Sequence, residues 1–295
     1  MRQRLAVVAV LVCVVFATAA LAARIGDRQE SPALSSQRYE RSIALRLDYG
    51  NAQNEVGIRV GDFETRPEGP ESFAVADDGT IAIADSLHER VAVFDQNGHI
   101  VRSAEGVIAG DIEISGDSMF VLEPASSRLI EITSQGKRVD AVEVDASADR
   151  ITPSLIQRMA RSGRLTAQSQ HAINDTPPAY SAVVADDHTA VIAVQDSRFT
   201  VVTDNSLGSI NLVGTDAEGN VFLALEQVLP TTDSSISVQT EVRKYSSRGE
   251  LLARIPMDMD TVTQPGRPFV VTPDGTLYHL KPTREVLLIE RFDIR

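Results

Sequence analysis

Short alternating segments that stop at Asp-Gly or Asn-Gly recur along this chain at a spacing of roughly 40 residues. The clearest run covers residues 72–103: "SFAVA", "DDG", "TIAIAD", then "RVAVFD", "QNG", "HIVRS". Alternation of apolar and other residues marks a strand with a buried face. Glycine at the turn accepts the positive φ that a tight hairpin requires. Residues 72–103 are therefore expected to form four antiparallel strands, joined by two tight turns and one wider loop.

The pattern returns at 111–142, at 210–256 and at 268–294, with a weaker copy at 180–203. Gly79, Gly219 and Gly275 align at one kind of turn, and Gly98, Gly136 and Gly249 at the other. Four strands per unit at this period point to an all-β fold, a β-propeller. Dividing about 255 residues by 40–45 predicts about six four-stranded blades. Residues 42–50, "SIALRLDYG", read as a displaced strand that pairs with the last blade and closes the ring. The segment 151–175 interrupts the series, with a short helical look at "PSLIQRMA". Residues 226–242 read as a long polar hairpin insertion.

The first residues carry a different signal. "MRQR" is basic, "LAVVAVLVCVVFATAALA" is apolar and uncharged, and "ALA" at 20–22 supplies the small residues of a cleavage site. That is the pattern of a signal peptide, and its length also suits an uncleaved anchor. The expected organisation is an export segment at 1–22, a linker at 23–40 and the propeller at 41–295. The sole cysteine, Cys13, lies in the export segment, so no disulfide is expected in the domain. The export segment also holds Arg2 and Arg4, so its loss takes the net charge from −13 to −15 (−13 minus 2). With that charge and no basic patch, nucleic acid is excluded as a partner. A membrane would be met only through the N-terminal segment.

Asp85, His88, Glu89 and Arg90 crowd into the loop "ADSLHERVAVFD". The stretch resembles the NHL-type propeller repeat, whose blades carry a similar "D…RV.VFD..G" pattern. In the next unit Glu123 and Arg128 take the places of Asp85 and Arg90, while His88 and Glu89 fall opposite Ser126 and Ser127. A recurring pair is expected to be structural: Asp85 and Arg90 hold the loop, and His88 sits on its exposed tip. The histidines at 88, 99, 171, 188 and 279 show no metal-like spacing, and His279 is expected in a structural or surface role. Asp258 and Asp260 do not form an EF-hand loop.

Upstream, "PEGPESFAVADDG" and the stretch 210–257 resemble the SMP-30/gluconolactonase family of six-bladed, calcium-dependent lactonases. The resemblance implies Glu68 of "EGP" as a metal ligand and places a catalytic and metal position on Asn211. The family's middle-blade Asn would fall on Tyr180, a poor calcium ligand. Asn at 211 also lacks the charge and basicity of an Asp. No Walker loop, HExxH motif or nucleophile elbow is present. The expectation is an NHL-like binding or scaffolding module of the cell envelope, without a cofactor. It would take a protein or small-molecule ligand at the rim loops or channel. A calcium-dependent lactonase using Glu68 and Asn211 is the alternative.

Overall fold

The computed structural model describes residues 39–61, 65–126, 128–143, 180–194, 197–230 and 235–294. Sheets dominate, in five antiparallel sets. Blade A comprises β2 (Phe73–Val75), β3 (Ile81–Asp85), β4 (Arg90–Phe94) and β5 (Ile100–Glu105). Blade B comprises β6 (Asp111–Ser115), β7 (Ser118–Glu123), β8 (Arg128–Ile132) and β9 (Arg138–Glu143). Among the described residues blade C has three strands, β10 (Tyr180–Asp186), β11 (Thr189–Val194) and β12 (Ser197–Val202). Blade D comprises β13 (Ser206–Thr215), β14 (Val221–Leu229), β15 (Ser237–Tyr245) and β16 (Leu251–Met257). Blade E comprises β17 (Phe269–Val271), β18 (Leu277–Pro282), β19 (Val286–Ile294) and the distant β1 (Tyr39–Asp48).

The pairing of β1 with β19 runs from Tyr39↔Ile294 to Asp48↔Val286. It is the closing strand that residues 42–50 predicted, and it starts inside the stretch expected to be linker. The export segment and the helical look at 153–160 lie outside the described residues. A count of about six blades also needs residues between Glu143 and Tyr180, which are not among those described. The 226–242 stretch differs from expectation. It is largely a continuation of the ladder, since Glu226–Leu229 pairs with Ser237–Thr240. Polar residues are buried there in bonded pairs: Gln227 Nε2 donates to Glu241 Oε1 at 2.8 Å, and Gln227 Oε1 accepts from Asn205 N at 3.2 Å.

The six aligned glycines all adopt left-handed backbone, with φ between +74° at Gly136 and +83° at Gly275. Each closes a turn by donating its amide three residues back, as Gly79 does to Ala76 and Gly249 to Ser246. At Gly249 a Cβ would stand 2.2 Å from Phe199 Cβ, whereas at Gly116 (φ +56°) it would meet nothing within 4 Å. Gly116→Ala should therefore cost only the left-handed penalty, about 1–2 kcal/mol. Gly249→Ala should cost at least about 2 kcal/mol more, because a clash is added in the core. Urea melts of the two variants compare them; equal losses would show that the Phe199 contact relaxes freely.

Packing follows from alternation within a strand. Ile81 and Ile83 of β3 join Phe73, Phe94, Leu280 and Ile289 in a core between blades A and E. Ala82 and Ala84 turn the other way, against Ile112, Met119 and Val121 of blade B. Small residues on one side match large ones across the gap, which keeps the layer full. Phe199 and Val201 of blade C pack on Leu223 and Tyr245 of blade D. Phe222 and Ile255 of blade D pack on Phe269 and Leu277 of blade E. The blades therefore stack face to face in the order C, D, E, A, B, a propeller-like arrangement in which β3 and β4 are buried along their whole length. One end of the stack carries the glycine turns and is called the turn face. The other carries the longer loops and is called the loop face.

Candidate functional site

The inner strands β2, β6, β13 and β17 converge on a cavity of about 680 Å³. Val75, Ser115, Thr215 and Val271 line it, and each is the last residue of its inner strand. The cavity thus lies at the turn-face ends of these strands and extends outward to Arg102 of β5 and Ser134. Its lining carries the carboxylates of Asp77, Asp78, Glu113 and Asp117 and the guanidinium of Arg102. Asp77, Asp78 and Asp117 are exposed on the turns. Asp78 accepts from the hydroxyl and amide of Thr80, and these bonds hold its pKa below the ordinary carboxylate value. Arg102 Nη1 donates to Asp117 O at 3.4 Å.

Toward the loop face a buried arginine crosses between blades. Arg267 precedes β17, and its amide donates to Glu71 O of blade A at 3.1 Å. Its side chain reaches past blade A to blade B. There Nη1 donates to Ile112 O (2.7 Å) and Asp111 Oδ1 (3.2 Å), and Nη2 to Glu113 Oε2 (2.8 Å). Ser72 Oγ donates to the same Asp111 oxygen at 2.6 Å. Burial opposes the charge of Arg267, and Asp111 and Glu113 outweigh it, so its pKa rises. Glu71 beside it is pushed up by burial and by Glu68, against the pull of the Gly266 amide. One arginine thus holds the inner edges of three blades, and Glu113 links it to the cavity.

The sequence reading missed this constellation. Its signal was present: Asp111 and Glu113 stand two apart on an inner strand, hence on one face, where unpaired carboxylates are costly. What was absent was any hint that their partner stood 154 and 156 residues away.

Asp85 behaves as the repeat predicted. Its side chain is fully buried, and its carboxylate accepts from Gly57 N (3.0 Å) and Arg90 Nε (3.0 Å). Arg90 also donates to the carbonyls of Gln53 and Glu55, so the pair pins residues 51–57 over the blade. His88 is not on an exposed tip. Its side chain is 21% exposed, with Nδ1 2.7 Å from Asp85 Oδ2 and Nε2 3.3 Å from Asn51 Oδ1. The left-handed Glu89 (φ +51°) turns the loop so that the ring folds back. Glu123 and Arg128 keep the same register as Asp85 and Arg90, but Glu123 pairs with Arg138 instead.

Glu68 and Asn211 are placed apart in role. Glu68 is half exposed and its carboxylate pairs with Arg59 Nη1 at 2.8 Å, across the bridge of Arg59 with Glu68. Asn211 is exposed on β13 opposite Ala224. Tyr180 donates its hydroxyl to Ile210 O, and burial pushes its pKa to about 12. Among the described residues no group of three or more His, Cys, Asp or Glu is placed to hold a metal ion. Asp258 pairs with Lys281. His279 takes the structural of the two roles expected: it is buried, with Nδ1 3.2 Å from Glu290 Oε2 and its ring 4.9 Å from that of Phe269.

No family model matches this chain. No curated protein matches it either. Solved structures do. A member of the DUF4221 family from Bacteroides vulgatus is 12% identical over 88% of this chain and 99% of that one, with a TM-score of 0.47. A protein of Bacteroides fragilis named as exported is 9% identical over 90% and 98%, with a TM-score of 0.46. Virginiamycin B lyase from Staphylococcus aureus, solved with quinupristin, is 11% identical over 88% and 100%, with a TM-score of 0.34. Likeness at this level carries no functional argument. Among the described residues no helix is long and apolar enough to cross a membrane.

Proposed function

We infer that this chain is an exported, NHL-like β-propeller of about six blades that serves as a binding module in the cell envelope. Its ligand seat is the turn-face cavity. The supporting observation is the convergence of four inner-strand ends on one space of about 680 Å³, a size that suits a small molecule. The N-terminal basic and apolar pattern supports export. Four carboxylates and one guanidinium line the seat, a formal charge of −3 (1 minus 4). Part of that charge is already used, because Glu113 holds Arg267. The remaining field favours a small cationic ligand with polar groups that can reach the turn carboxylates.

A thermal-shift panel tests this reading. Spermidine, arginine and glucosamine are expected to raise the melting temperature, and glutamate and citrate are not. Saturating a site at 100 times its Kd adds about 2.7 kcal/mol, a shift of several degrees. Asp117→Asn should weaken the response without changing the unliganded melt. Absence of any shift by the cationic probes would remove the cavity as the seat. Calcium belongs in the same panel, because the hydrolase alternative makes Glu68 and Asn211 its ligands. With Glu68 already paired to Arg59, millimolar calcium should leave the melt unchanged. A calcium shift that Glu68→Ala abolishes would favour the lactonase reading instead.

A further inference from the structure

Among the described residues, Arg102 is the one cation in the lining of the turn-face cavity. It stands opposite Val93 on the β4–β5 ladder, two residues before Ala104. Paired residues share a face of a sheet, and Val93 and Ala104 both pack in the core between blades A and B. The Arg102 side chain therefore leaves blade A on the side of blade B, at the turn-face end of that core. Its Nη1 reaches the Asp117 carbonyl of the β6–β7 turn at 3.4 Å, at the long end for an N–H···O bond. That is its only hydrogen bond among the described residues, so most of the five guanidinium donors have no protein partner there. Arg90, Arg138 and Arg267, by contrast, each hold a carboxylate.

The rest of the lining divides in kind. Val93 and Ile114 supply apolar surface between blades A and B. Of the four carboxylates, two are already engaged: Glu113 holds Arg267, and Asp78 accepts from Thr80. Asp77 and Asp117 are exposed, and their carboxylates accept no hydrogen bond among the described residues. One space of about 680 Å³ thus brings together two free carboxylates, apolar surface and a guanidinium with open donors. A simple anion would meet four negative charges there, and a simple cation would leave Arg102 unpaired. A ligand that carries both charges satisfies both sides. The planar guanidinium fork matches a carboxylate in bidentate geometry.

We propose that Arg102 reads a carboxylate on the ligand, so that the cavity takes a small molecule with one carboxylate beside its cationic groups, the chemistry of a basic α-amino acid. The inference rests on the turn-face cavity being the ligand seat, and it names the residue that sets specificity within that seat. The ligand carboxylate would lie on the open donors of Arg102, and the cationic groups near Asp77 and Asp117. Charge alone predicts the opposite preference. A ligand that lacks the carboxylate carries one more net positive charge, and a lining of formal charge −3 (1 minus 4) would hold it more tightly.

Isothermal titration calorimetry of the whole chain with free arginine, agmatine and arginine methyl ester separates the carboxylate from the charge. Agmatine lacks the carboxylate, and the ester keeps its shape without its charge. Free arginine is expected to bind at least tenfold more tightly than either. Arg102→Gln should weaken free arginine at least tenfold. It should leave agmatine bound as well or better, since a positive charge leaves the lining; an unchanged melt checks the fold. Arg102→Lys keeps the charge and loses the fork, so it should restore arginine binding only in part. If Arg102→Gln does not fold, the three ligands with the unaltered chain carry the test. Agmatine or the ester binding as tightly as free arginine overturns the inference and leaves the seat itself standing. So does an equal loss of arginine and agmatine in Arg102→Gln. Binding of neither arginine, agmatine nor spermidine removes the seat, and the inference with it.

Discussion

Arg267→Ala is expected to lower the stability of the domain by about 3–5 kcal/mol, the usual loss when one partner of a buried ion pair is removed. The guanidinium is buried and holds two carboxylates and a carbonyl. Its loss leaves the partly buried carboxylates of Asp111 and Glu113 side by side on one strand face without their shared cation. The melting temperature should fall by about 10 °C, given 2–4 °C per kcal/mol for a domain of this size. The charge-removing combination Arg267→Met, Asp111→Asn and Glu113→Gln should recover a large part of the loss, because burying the uncompensated charges is what costs most. Chemical denaturation of both variants checks the pair of outcomes. A loss under about 1 kcal/mol for Arg267→Ala would mean that water already reaches the network, the ordinary value for exposed pairs.

Asp85→Ala should cost about 3 kcal/mol, for a related reason. Its buried carboxylate is shared by Arg90, His88 and the Gly57 amide, so removal orphans three donors at once. The segment 51–57 should then lose protection in amide exchange, since Arg90 pins it only while Asp85 holds Arg90. Glu123→Ala at the corresponding place in blade B makes the comparison. Glu123 pairs with an Arg138 side chain that is 47% exposed. Its removal should cost no more than about 1 kcal/mol, as for other surface pairs. Equal losses at the two sites would show that position in the repeat, and not burial, sets the energy.

Those two sites mark how far the repeat could be read. The Asp85–Arg90 register and the Glu123–Arg128 register are the same, as alignment of the units predicted. Which pair becomes a buried anchor depends on what packs over it. Residues 51–57 cover Asp85, and nothing in the repeat specifies that. His88 shows the same limit: a residue absent from the next unit looked free, yet the loop folds its ring onto Asp85. Residues 226–229 read as insertion because their alternation is polar, while their backbone continues the ladder.

Local chemistry alone determined the turns, the strands between them and the closing role of β1. A glycine that must take positive φ and an alternation of period two are properties of a few adjacent residues, so they are visible in the chain itself. Only the tertiary structure decided where charge is buried and what is left uncovered. Arg267 finds its carboxylates more than 150 residues away, and Glu68 finds Arg59 instead of a metal cluster. The cavity exists because four strand ends from four blades meet. Such features belong to the spacing between blades, and contact across that spacing leaves no periodic mark on the sequence.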